Sequence, residues 1–211
     1  MSELCHELHQ LLRDLRRFRF PFDESKIPFS GIYILFEQGE SGHGMDRIVR
    51  VGTHTGDNQL RSRLREHFVN ENKDRSIFRK NIGRALLNRE QDPFLEQWDL
   101  DLTTRKNRGK YQGRADFDKQ KQVEKRVTEY IQGHFSLVLF QVDEKQRRLD
   151  LESKIISTVS SCEECFPSKL WLGLHSPKPK IRQSGLWNVN ELYKQPLSEV
   201  DFEKLKELIQ P

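Results

Sequence analysis

Arg63 and His67 stand four residues apart in Leu60-Arg-Ser-Arg-Leu-Arg-Glu-His-Phe68, so on a helix they project from one face. A guanidinium is a planar fork of donors that matches a phosphate better than an ammonium does, and an imidazole exchanges protons near neutral pH. Leu60, Leu64 and Phe68 form the neighbouring apolar face that would seat such a helix on a sheet. Arg61 and Arg65 point elsewhere and read as solvated charges or contacts to distant phosphates. A second basic feature runs from Thr103 to Arg114, where Arg105, Lys106, Arg108, Lys110 and Arg114 have no acid among them. Both features suit polyanion binding. Cys162-Glu-Glu-Cys165 has the spacing of half a zinc site, but two further ligands are needed, and the candidates are distant ones such as His175 or the Cys5-His6 pair. Two incidental reduced thiols is the better reading.

These groups need elements to hold them. Leu4, Leu8, Leu11, Leu12 and Leu15 recur at helical spacing, which predicts an amphipathic helix over 2–17. Two prolines make the stretch from Phe20 to Phe29 a connector. Gly31 to Glu37 and Arg47 to Gly52 are rich in β-branched and aromatic residues, and a glycine-rich polar stretch, Gln38 to Gly44, separates them. That pattern predicts a hairpin. Helices follow from Leu60 and from about Ser76 to Glu90. Residues 92–115 have no clear period and read as a loop or partly ordered excursion. A helix around Val123 to Ile131, a third strand from Ser136 to Val142 and a helix from Asp150 to about Ser160 come next. Residues 166–197, with four prolines, are irregular, and Ser198-Glu-Val-Asp201 opens a last helix with a capping box. The expected fold is α+β, a small three-stranded antiparallel sheet flanked by helices. The expected organisation is an N-terminal helix and connector over 1–27, a core over 28–165 with a basic insertion at about 90–130, and a C-terminal extension over 166–211.

Gly31-Ile32-Tyr33 on one strand, Arg50-Val51-Gly52 closing the next, Arg63 on the following helix and Glu152 on a later one together resemble the GIY-YIG nuclease superfamily, over roughly residues 30–160. The resemblance implies a metal-dependent endonuclease that hydrolyses DNA phosphodiester bonds. Such chemistry must deprotonate a water, stabilise the attacked phosphate and carry charge on the leaving oxygen. It assigns Tyr33 as the base beside the water, Arg63 to the scissile phosphate, His67 as a partner one turn on, and Glu152 to Mg2+ (or Mn2+). Taken alone, Tyr33 would be an ordinary strand aromatic, and Glu152 an acid favoured by the helix dipole. A tyrosine with a pKa near ~10 is a poor base unless neighbouring cations lower it, so His54 or His67 would orient the water or relay the proton.

The chain departs from the family pattern twice. The usual tyrosine of the second motif is Arg50 here, and His54 is the nearest polar substitute. The asparagine often found about twelve residues past the glutamate is Glu164 here, which leaves Asn188, in Ser184-Gly-Leu-Trp-Asn-Val-Asn190, as a substitute near the phosphate. The competing reading, which the missing tyrosine favours, is a nucleic-acid-binding module of the same fold whose catalytic centre has decayed. Net charge is only +4, with 36 basic and 32 acidic residues, so the total permits nucleic-acid binding without demonstrating it. No apolar run is long enough for a membrane span and no secretory leader is evident, so the reading is cytoplasmic. A homodimer would be called for if both strands of a site were cut.

Overall fold

The computed structural model describes residues 2–111, 113 and 115–209. Its sheet has four antiparallel strands, β1 (Phe18–Arg19), β2 (Gly31–Gly42), β3 (Met45–Gly52) and β4 (Phe135–Gln141), in the order β1-β4-β2-β3. The expected three strands are β2, β3 and β4. The fourth comes from the connector, where Phe18 and Arg19 pair with Leu137 and Ser136 and supply β4 with a short outer neighbour.

Strand β2 reads as an unbroken apolar run because both of its faces are buried. Tyr33 and Leu35 enter one core, while Ile32, Ile34 and Phe36 enter the other. The first core is roofed by α2 (Leu60–Phe68), α3 (Ile77–Arg89) and α6 (Phe117–His134); the second by α1 (Ser2–Arg13), α7 (Lys145–Ser160) and α9 (Glu199–Ile209). Gln38 to Gly42, expected in a loop, continues β2 past an irregular register. The turn is only His43-Gly44, and both residues have positive φ (54° and 74°), as a two-residue hairpin turn requires. The excursion at 92–115 contains two short helices, α4 (Leu95–Trp98) and α5 (Arg105–Tyr111), and α7 begins five residues earlier than its apolar period suggested. Ser198 and Asp201 cap α9 reciprocally, side chain to backbone in both directions.

The C-terminal segment is woven into both cores. Trp171 and Trp187 lie in the first, and Leu186, Leu197, Phe202 and Leu205 in the second. Both indole N–H groups donate to the buried Glu37 carboxylate (2.8 and 2.9 Å), which also accepts from Tyr130. The Trp187 backbone N–H donates to the Val49 carbonyl and the Asn188 side-chain amide bonds both backbone groups of Val51, so this segment covers the outer edge of β3. The helix α8 (Pro179–Ser184) leads into it. Among the described residues, no helix is long and apolar enough to cross a membrane.

Candidate active site

The glycines of the two strand motifs are there because something occupies the space of a side chain. A Cβ on Gly31 would lie 2.2 Å from the Phe140 carbonyl oxygen on β4. One on Gly52, the cross-strand partner of Tyr33, would lie 2.2 Å from the Tyr33 hydroxyl. Tyr33 therefore lies over a bare backbone. Its hydroxyl is 2.7 Å from His67 Nε2, and His67 Nδ1 is 2.7 Å from Ser76 Oγ. Ser76 caps α3 by accepting the Arg79 N–H; in the tautomer with Nδ1–H donating to Ser76, Tyr33 donates to Nε2, and in the other tautomer both directions reverse. Tyr33 and His67 are both fully buried. Burial above all, then the charges of Arg63, Arg50 and Arg79, hold the His67 imidazole well below its ordinary value. It is neutral at pH 7.

The end of α2 is tied down from behind. Arg79 donates to the His67 carbonyl and pairs with the Glu124 carboxylate at 2.8 Å, both side chains being almost wholly buried. Removing one partner of such a pair costs about 3–5 kcal/mol, so the position of His67 is stiffly held.

Arg63 faces outward from the same helix. Its NH1 donates to Glu66 and to the Arg75 carbonyl. It lines two adjoining cavities. One, of ≈ 430 Å³, has Thr53, His54, Gln59, Glu66 and Arg75 in its wall. The other, of ≈ 450 Å³, is lined by Arg50, Glu152, Asn188 and Glu191 among others. The α2 helix thus splits its chemistry, with Arg63 in the groove and His67 behind it. Arg61 is spent on the Ile27 carbonyl, and Arg65 is exposed beside Glu24.

Strand β3 carries a bulge at Val49: Leu35 opposes Arg50 and Phe36 opposes Ile48, so Val49 is the extra residue. Arg50 then stands over the Phe78 ring at 5.1 Å and donates to the Trp187 carbonyl, while its buried Nε has no partner among the described residues. Sequence reading noted Arg50 only as a missing tyrosine. The signal was present, since a cation at that motif position is a change of chemistry and not simply a loss.

Glu152 sits near the middle of α7, half-buried, and accepts the Thr53 N–H at 3.1 Å. Burial pushes its carboxyl up, opposed by Arg50, the Thr53 N–H and Arg63, while Glu191 pushes the same way as burial. Its ionised form is under-solvated, a condition that a cation relieves. The donors at this end of the groove are carboxylate oxygens, hard ligands with room for water, and they fit Mg2+ or Mn2+ with most of its hydration shell retained.

His54 and Asn188 are engaged by backbone. His54 Nε2 accepts the Gly31 N–H and Nδ1 donates to Gly56, and burial lowers its pKa. Asn188 lines the Glu152 cavity but commits both amide atoms to Val51. Arg105, Lys106, Arg108 and Lys110 are exposed on α5, and none makes an ion pair among the described residues; Arg114 lies outside them.

A hairpin, an arginine-bearing helix and a glutamate-bearing helix converging on one groove define an α+β domain of the type that the motifs resemble. The model of the GIY-YIG domain matches residues 1–211, the whole chain, and the protein belongs to the GIY-YIG nuclease superfamily. Comparison with curated proteins and with solved structures gives no match.

Proposed function

We propose that the protein is a divalent-metal-dependent endonuclease that hydrolyses phosphodiester bonds in DNA. The observation that carries this reading is the position of Arg63 between two cavities, facing Glu152 and Arg50 across one of them. Two guanidiniums beside one carboxylate suit a phosphodiester, because the cations meet the phosphoryl oxygens while the acid faces a metal. Glu152, with Glu191 beside it, would hold the ion, which when bound neutralises charge at the leaving oxygen. Arg63 stabilises the charge that builds on the attacked phosphate, and Arg50 brings a second cation where the family has a tyrosine.

Tyr33 is the base in this reading. With His67 Nε2 as acceptor, Tyr33 acts as a relay: its oxygen would take the proton of the attacking water while its own proton passes to Nε2, leaving hydroxide to attack the phosphorus. His54 and Asn188 act by holding the ends of β2 and β3, and the α5 cations with Arg114 meet the DNA backbone without reading sequence. Cutting both strands of a symmetric site would take two copies. The three free cysteines suit a reducing compartment such as the cytoplasm.

One observation favours the second reading, a binding module with a decayed centre: Tyr33 and His67 are wholly enclosed and Arg50 replaces the second tyrosine. Plasmid nicking with Mg2+ or Mn2+, against a chelated control, separates the two. Metal-dependent nicking is expected. DNA binding with no nicking in either metal would put the binding module first.

A further inference from the structure

At the far end of the β2–β3 hairpin, three distant parts of the chain bring sulfur and imidazole together. Helix α1 supplies Cys5 and His9, the hairpin turn supplies His43, and the loop after α7 supplies Cys162 and Cys165. The Cys5 and Cys165 sulfurs, 160 positions apart in sequence, are 3.7 Å from each other. Ligand atoms of Cys5, His9, His43 and Cys165 all lie within 4.8 Å of one another, and Cys162 Sγ is 3.3 Å from His43 Nε2. Two sulfurs on a tetrahedral zinc ion stand roughly 3.8 Å apart. The spacing is that of ligands round an ion, and too wide for a disulfide, whose sulfurs lie about 2 Å apart.

The surroundings point the same way. His43 Nδ1 is 3.3 Å from the Glu164 carboxylate, which fixes the tautomer and leaves Nε2 facing the sulfurs, as an outer carboxylate does behind a metal-bound histidine. The Glu164 N–H donates to Cys162 Sγ at 3.4 Å, which orients that sulfur. Cys165 packs on the hairpin so closely that a Cβ on Gly42 would lie 3.2 Å from its sulfur. His9 differs: it lies 3.7 Å from the Cys5 sulfur and 3.9 Å from that of Cys165, but its shorter contacts are to backbone, Nδ1 at 2.8 Å to the Cys5 carbonyl and Nε2 at 3.3 Å to the Ile48 N–H.

We propose that Cys5, His43, Cys162 and Cys165 form a closed site for a zinc-class ion, with His9 packed beside it as a support. Four protein ligands leave no position for water or substrate, so the ion is structural: it fastens α1 and the loop after α7 to the tip of the hairpin. The sequence offered Cys162 and Cys165 as half a site, with Cys5 among the distant candidates, but no spacing pointed to His43. The His175 also considered is not in the cluster.

Elemental analysis of the untagged protein, purified without chelator, tests this directly, with one zinc per chain expected. Cobalt reconstitution should give the intense near-ultraviolet thiolate-to-metal bands, a readout that needs only the wild-type protein. Cys5→Ser/Cys165→Ser and Cys162→Ser should lose the metal, and His9→Gln should keep it. Metal-free protein with no cobalt–thiolate band would overturn the site, as would a mass lower by two hydrogens, which marks a disulfide, or zinc retained by Cys5→Ser/Cys165→Ser. Loss of zinc from His9→Gln with retention in Cys162→Ser would overturn the choice of fourth ligand.

Discussion

The two ends of the β2–β3 hairpin carry polar clusters of opposite design. At the open end, around Tyr33 and Gly52, Arg50, Arg63 and Glu152 face a groove with charge only partly compensated: Arg50 Nε has no partner among the described residues and burial raises the Glu152 carboxyl. At the turn, ligand atoms of Cys5, His9, His43 and Cys165 lie within 4.8 Å of one another, Cys162 Sγ is 3.3 Å from His43 Nε2, and His43 is oriented from behind by Glu164. Hard, separated and under-satisfied groups suit a charged ligand that must come and go. Soft, converging groups suit an ion that stays. One hairpin carries both, with its register shifting twice between them, at the Val49 bulge and again between Phe36 and Ser41.

The sharpest way to break this contrast is Glu152→Ala. It should abolish metal-stimulated nicking while the zinc content stays that of the wild type. Nicking at the wild-type rate would move the metal elsewhere; loss of zinc would mean that the two clusters are not independent. Arg63→Ala comes next, and should lower the single-turnover rate by ~10²–10³ with a much smaller loss of DNA affinity, because its charge is matched to the transition state. Arg65→Ala, exposed beside Glu24, is the control and should cost little; equal effects of the two on binding, with no change in rate, would make α2 only a DNA-holding helix.

Neutralising Arg105, Lys106 and Arg108 should weaken DNA binding evenly across sequences and reduce the salt slope by roughly three units at most. A changed site preference at unchanged affinity would contradict that. Tyr33→Phe leaves the buried His67 Nε2 without its hydrogen-bond partner and should cost about 1–3 kcal/mol of stability. An unchanged cleavage rate in that variant would reduce Tyr33 to a wall residue.

The smallest effect concerns pH. Folding keeps His67 neutral far below its ordinary 6.5, whereas the unfolded chain takes up the proton near that value. The stability linked to this group is therefore present above 6.5 and lost as pH falls below it. Thermal midpoints should drop on acidification, and less steeply in His67→Gln. Release of an ion from the cysteine cluster has the same sign, so the difference between the wild type and the variant is the quantity to measure. Parallel curves would remove His67 as a contributor.

The fold class, the hairpin, the order of helices and the α9 cap were legible in the sequence because each rests on local period or capping chemistry. Arg63 and Glu152 entered through the resemblance, and the structure sets both in the wall of one cavity. The residue types that sequence reading made most of were dealt out differently by the tertiary structure. His67 shares a helix face with Arg63 by spacing, yet only the packing of Phe78 and the Arg79–Glu124 pair decides that it is buried. Arg50 was a gap in a motif until the bulge at Val49 turned it toward Phe78 and the groove. Asn188, far along in sequence, is used on the edge of β3. Cys5, His43 and Cys165 carry no common spacing at all, and their meeting depends on where α1 and the loop after α7 come to rest on the hairpin tip. Local periodicity encodes what a segment does with its own neighbours; which distant side chains meet is set by how two cores close on the two faces of one sheet.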